Sequence, residues 1–73
     1  MVHPTVNISE AMKAARERAG ISQKELARRS GVAQANISRY EAGFCFPNLV
    51  SLLSLAEALG ISVDEFIGLR RPR

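Results

Sequence analysis

Residues 22–40 read SQKELARRSGVAQANISRY, and this stretch decides the fold. Ser22 and Glu25 have the spacing of a capping box, in which the hydroxyl accepts from the third helical amide and the glutamate reaches back to the cap. The spacing predicts a helix over 22–30. Gly31 ends it, because the turn that follows needs a residue of positive φ, which glycine adopts at little cost. A second helix is predicted over 33–42. Helices joined by only about three residues cross steeply, at about 90–120°. Close crossing needs a small residue at the contact, and Ala27 supplies it. Ile37 then falls where the first helix of the pair packs over the second, against Leu26 and Ala27.

Helical periodicity continues on both sides. Ile8, Met12, Ala15 and Ala19 form one stripe of a helix over 8–19. Leu49, Leu52, Leu53, Ala56 and Leu59 do the same over 48–59. Leu55 lies outside that stripe, so this helix is apolar over more than one face and is either central to the fold or shared with a second subunit. A short helix is predicted over 63–67, opened by Ser62 and Glu65 as a second capping box. Asn7 and Asn48 are plausible caps for the helices they precede. Gly20, Gly43, Gly60 and Gly68 stand at helix ends as Gly31 does. Ile21, Val32, Phe44, Ile61 and Leu69 each follow one of these glycines, where a hydrophobe often packs back on the helix just left. The expected fold class is all-α: a compact five-helix domain over 1–73, with an ordered core at about 8–68 and frayed ends.

At 73 residues the chain has room for one domain, which excludes a two-domain enzyme or a barrel. Apolar residues at 47% and charged residues at 23% place it among globular chains rather than disordered ones. The longest uncharged stretch ends at Ala56, contains Pro47 and Asn48, and is too short to span a bilayer. Met1 to Thr5 lack the basic start of a signal peptide. The single Cys45 can form neither an internal disulfide nor a metal cluster, and His3 has no zinc-ligand spacing around it. A cytoplasmic protein without metal, cofactor or membrane partner is expected.

The layout of charge is more telling than its total of +3. Up to Gly43 there are seven Lys or Arg and four Glu; from Phe44 to Leu69 there are three acids and no base. Arg70, Arg71 and Arg73 add a basic tail. A basic first half invites nucleic acid, and a neutral-to-acidic second half suits a different partner.

The run Ala15-Arg-Glu-Arg-Ala-Gly-Ile-Ser-Gln-Lys-Glu-Leu-Ala-Arg-Arg-Ser-Gly-Val32, followed by Ile37-Ser-Arg-Tyr-Glu-Ala-Gly43, resembles the lambda-repressor-like helix-turn-helix family of the Cro/XRE type. Pro47 and Leu55-Ala-Glu-Ala-Leu-Gly-Ile-Ser-Val-Asp-Glu-Phe66 continue the resemblance, which covers about 8–68. It implies a DNA-binding domain whose third helix reads the major groove of double-stranded DNA. By the same resemblance Gln34, Ala35 and Arg39 stand at base-reading positions. Gln pairs bidentately with adenine, Arg with guanine, and an alanine methyl meets a thymine methyl. Gln23, Asn36 and Ser38 stand where phosphate contacts are expected. Arg16 and Glu41 match a pair joining helix one to the end of helix three, and a partly buried ion pair fixes orientation more than it adds stability.

Three departures stand out. Ala33 replaces the family's frequent Ser or Thr cap, a loss of about 1 kcal/mol and of one phosphate donor. The loop after Gly43, commonly basic or polar, reads Phe44-Cys45-Phe46, and the N-terminal arm has no cation. Either one of these phenylalanines tucks under helix four, or the run forms an interface. The expected interface is that of a homodimer built on Phe46, Leu49 and Val63. The leading function is a transcriptional regulator, a repressor on a palindromic operator. The alternative is an antitoxin-like module that neutralises a second protein and autoregulates its promoter. An enzyme is not expected, since no catalytic set of residues is in view.

Overall fold

The computed structural model describes residues 7–68. The expected frayed ends at 1–6 and 69–73, with His3, the cation-free arm and the arginine tail, lie outside the described residues. Helix starts follow from side-chain caps. Asn7 accepts from the Glu10 amide at 3.0 Å and opens α1, Ile8–Arg18. Ser22 accepts from Glu25 at 3.0 Å and opens α2, Gln23–Ser30. Asn48 accepts from Ser51 at 2.8 Å and opens α4, Leu49–Leu59. Ser62 accepts from Glu65 at 3.1 Å and opens α5, Val63–Phe66. Only α3, Gln34–Ala42, starts without one: Ala33 is its cap residue and offers no oxygen. The α2–α3 turn is closed by Gly31 at φ 77° and by Ser30, whose hydroxyl accepts from the Val32 amide at 3.1 Å.

Half of the expected capping box at α2 does not form. The Glu25 carboxylate turns away from Ser22 and accepts from Arg28 and Arg29 at 2.6–2.9 Å. Two cations one turn ahead outcompete a single backbone amide for a charged acceptor.

The core is formed by Met12 and Ala15 of α1, Leu26 of α2, Ile37 and Tyr40 of α3, Leu55 and Ala56 of α4, and Phe66 of α5. α1 packs on α3, α2 on both α3 and α4, and α5 closes the base against α4 and α1. The stripe expected on α4 is corrected. Leu55 is fully buried while Leu49 and Leu53 are exposed. The core-facing set is Leu52, Leu55, Ala56 and Leu59, an i, i+3, i+4, i+7 pattern rotated from the one expected. A helix apolar over more than one face fits both patterns, so periodicity could not choose between them. On α1, Ile8 and the buried pair pack as expected, but Ala19 is the exposed C-cap.

Three helix ends share one backbone motif. The amides after Gly20, Gly43 and Gly60 bond back to Arg16, Arg39 and Ala56 carbonyls at 3.4, 3.0 and 3.1 Å. Of the hydrophobes expected to pack back, Ile21, Val32 and Ile61 lie against the core, and Leu69 lies outside the described residues. Phe44 does not: it is 82% exposed. Phe46 is 71% exposed, so neither phenylalanine tucks under α4.

Candidate nucleic-acid interface

One face of α3 is free of the fold. Ile37 and Tyr40 are buried and Glu41 is half-buried. At about 100° per residue, Gln34, Ser38, Ala42, Ala35, Arg39 and Asn36 follow one another round the rest of the helix. All six are exposed, giving an uninterrupted arc of small and polar side chains with one cation, Arg39. The absent cap at Ala33 leaves the first turn of α3 without a side chain folded over it.

The arc is held in place by one carboxylate. Glu41 accepts from Arg16 Nε at 2.8 Å and Nη2 at 3.0 Å, tying α3 to α1 through a two-pronged pair whose side chains are 12% and 5% exposed. Arg16 Nη1 donates at 2.8 Å to the Ile21 carbonyl, which fixes the α1–α2 link as well. Gln23 Nε2 donates to Glu41 Oε1 at 3.0 Å, so the first turn of α2 is held by the same group. Burial by itself would push the Glu41 carboxyl up. Hydrogen bonds from Arg16 and Gln23, with the charges of Arg16 and Lys13, outweigh it and hold the group below the usual carboxylate range. The hydrogen bond to Glu41 likewise raises Arg16 further, against a smaller opposing effect of burial.

Arg16 and Glu41, 25 residues apart, thus meet directly. The bond from Gln23 to Glu41 has no counterpart in any sequence signal, because its two ends come together only when α2 and α3 pack. Lys13 was also missed. It shares with Arg16, Gln23, Ser38, Glu41 and Ala42 an open cleft of about 340 Å³ where α1, α2 and α3 meet. The i, i+3 spacing of Lys13 and Arg16 was the available clue, since it sets both on one face.

A second surface lies beyond Gly43. Phe44, Phe46, Leu49, Val50 and Leu53 are the large exposed hydrophobes among the described residues, and all come from ten consecutive positions. Cys45, between the two phenylalanines, is exposed as well. Val63, also expected at the interface, is half-buried, part of it packed against the core. Among the described residues, no helix is long and apolar enough to cross a membrane, and no group of His, Cys, Asp and Glu is placed to hold a metal ion.

The profile of the helix-turn-helix family matches residues 12–66. Over 63 residues the chain is 41% identical to an uncharacterised HTH-type transcriptional regulator, y4dL, of Sinorhizobium fredii. That match takes in 86% of this chain and 32% of y4dL, so the chain spans about a third of that relative's length. The fold is similar to the restriction-modification controller protein C.AhdI from Aeromonas hydrophila, with a TM-score of 0.79 and 33% identity over 84% of this chain and 92% of the other. It is also similar to the P22 c2 repressor, crystallised with a synthetic operator, with a TM-score of 0.74 and 33% identity over 82% and 91% of the two chains. Five helices, a tight α2–α3 turn, an exposed α3 and these likenesses agree: the chain belongs to the helix-turn-helix family of regulators, in its lambda-repressor-like, Cro/XRE form.

Proposed function

We propose that residues 1–73 are one DNA-binding domain acting as a sequence-specific transcriptional repressor that occupies a palindromic operator as a homodimer. The observation that carries the reading is the exposed arc of α3, held rigidly by Glu41 yet left uncovered by the fold. That the similar P22 c2 repressor was crystallised with an operator supports it. Arg39 reads guanine O6 and N7, Gln34 reads adenine, and Ala35 meets a thymine methyl. Gln23, Asn36 and Ser38 hold the backbone without reading sequence. The domain works in the cytoplasm without catalysis, cofactor or metal.

The dimer forms on Phe46 and Leu49, joined by Phe44, Val50 and Leu53, with Val63 contributing only its exposed half. Together the five large side chains offer roughly 700 Å², close to the ~800 Å² per partner of a stable interface. The stretch carries no charge, so two copies meet without like-charge cost. The two half-sites then lie about 34–36 Å apart. A monomer on a full operator at saturating protein, seen by sedimentation, would refute the dimer.

Selection of duplexes from a random pool, then titration of matched and scrambled sites, tests the readout. Arg39→Ala should cost about 1–3 kcal/mol on the matched site and relax the preference at one base pair. Gln23→Ala should weaken both duplexes alike. Equal losses for both variants on both duplexes would mean that α3 does not read bases. The same apolar patch favours a second reading, an antitoxin-like module that neutralises a partner protein. Specific DNA binding only in the presence of that second protein would favour it.

A further inference from the structure

The outward face of α4 carries one charge, and it stands where its own helix gains nothing from it. Val50, Leu53 and Glu57 follow at i, i+3 and i+7, one exposed stripe on the side away from Leu55 and Ala56. Val50 and Leu53 belong to the apolar patch, and Glu57 ends the stripe. It lies in the last turn of α4, where the helix dipole favours cations, and that turn has no basic residue. No Lys or Arg occurs from Phe44 to Leu69, and no described cation pairs with Glu57. The first turn of α4, where the dipole favours an anion, has none. The anion that one end of α4 lacks therefore stands at the other end.

Two copies of this face can meet about a twofold axis in two directions. Parallel α4 helices set the two Glu57 side chains side by side, within the ~8–10 Å that separates packed helices, with no cation between them. Antiparallel helices centred between Val50 and Leu53 place each Glu57 about 8 Å from the axis, at about 1.5 Å per residue. The two carboxylates then stand roughly 16 Å apart, about two Debye lengths at physiological salt. Each lies beside the first turn of the other copy's α4, the positive end of that helix.

We propose that α4 packs antiparallel on the α4 of a second copy of this chain, and that Glu57 is the residue that sets this direction. The proposal rests on the homodimer reading above and adds to it the sense in which the two copies face each other. Burial of the apolar patch supplies the attraction and is indifferent to direction, whereas the charge at its edge is not. The patch is tied to the reading helix, since the Phe44 amide donates to the Arg39 carbonyl at 3.0 Å. The direction in which two α4 helices pair therefore fixes how the two α3 helices stand relative to one another.

The test uses the full chain and sedimentation equilibrium at low salt. Glu57→Gln should weaken the dimer about 3- to 30-fold, because two anions leave two helix starts. The difference should fade at about 1 M salt, where charges act over only about 3 Å. Parallel packing gives the opposite sign, a tighter dimer in Glu57→Gln, since a repulsion is removed. Mixing wild type with Glu57→Lys separates the two directions again. In the antiparallel dimer residue 57 of one copy does not meet residue 57 of the other, so mixed dimers should form in statistical proportion in native mass spectra. In the parallel dimer a glutamate would face a lysine, and mixed dimers would dominate. An unchanged or tighter dimer in Glu57→Gln, or dominant mixed dimers with Glu57→Lys, overturns the proposal and leaves the homodimer standing. A wild-type chain that stays monomeric both free and on a selected duplex overturns both. Glu57 is exposed and stands at the unfavourable end of its helix, so thermal melts of dilute, monomeric variants should not fall below the wild type. A lowered melt would assign Glu57 to the fold and overturn its role at the interface.

Discussion

Glu41 and Glu25 each accept from two side chains, and they do opposite things. Glu41 joins three helices, with side-chain exposures of 5% for itself and 12% for Arg16. Glu25 joins only residues of its own helix, Arg28 and Arg29, which are 71% and 44% exposed. The hydrogen bonds from Arg28 and then Arg29 pull the Glu25 carboxyl down to about 2, a strong local effect. Water and salt screen that cluster, and it fixes nothing beyond one helical turn. The weight of a carboxylate thus comes from what its partners are attached to, and from how little water reaches them, more than from the number of its bonds.

The strongest way to break this contrast is Glu41→Ala. It leaves Arg16 with an uncompensated charge and frees Gln23, and should cost about 3 kcal/mol. For a chain of this size that lowers the melting midpoint by more than about 10 °C. Arg16→Ala made on top of it should then cost much less than on the wild type, because the interaction is already gone. Additive losses in thermal melts would mean that the pair does not act as a unit.

Acid provides the next test. Folded Glu41 binds a proton less readily than unfolded Glu41, so its contribution is present above the ordinary carboxyl value of about 4.3 and is lost as pH falls through the depressed folded value. Urea midpoints should therefore drop between pH 5 and pH 3, and Glu41→Gln should flatten that drop. Glu25→Gln should leave it nearly as steep, since its depressed carboxyl is solvent-screened. A drop abolished by Glu25→Gln instead would reverse the ranking.

A missing cap gives a local effect of intermediate size. Ala33→Ser should stabilise by about 1 kcal/mol by supplying the first turn of α3 with an acceptor. An unchanged denaturation midpoint would mean that the first-turn amides are already well served by water. The smallest expected change is that of Glu25→Gln, whose melt at neutral pH should stay close to the wild type and whose difference should vanish at 1 M salt. A large loss there would end the distinction between the two clusters.

Much of this molecule was legible in the residues. Caps at Asn7, Ser22, Asn48 and Ser62, with glycines near the opposite ends, place four of the helices to within a residue or two. These signals are local, so a chain read in order suffices to find them. The resemblance pointed to the pair Arg16 and Glu41, and the geometry joins them. Other features were hidden for one common reason. Glu25 had an alternative partner one turn away, α4 was apolar over more than one face, and Gln23 met Glu41 across a helix–helix contact. In each case the residue types allowed two arrangements, and only packing chose.

The three glycine-ended turns after α1, α3 and α4 separate the two sources of information most clearly. Sequence by itself determined the backbone: a glycine at the end of the helix, then a hydrophobe whose amide bonds back to it. The tertiary structure alone decided what the hydrophobe does. Ile21 and Ile61 leave their helices toward the core, where burial of each is favourable. Phe44 leaves α3 where none of the described residues covers it, and is exposed, as are Phe46, Leu49 and Val50. The direction of a side chain relative to the rest of the fold is a property of how helices pack, and no pattern along one helix contains it.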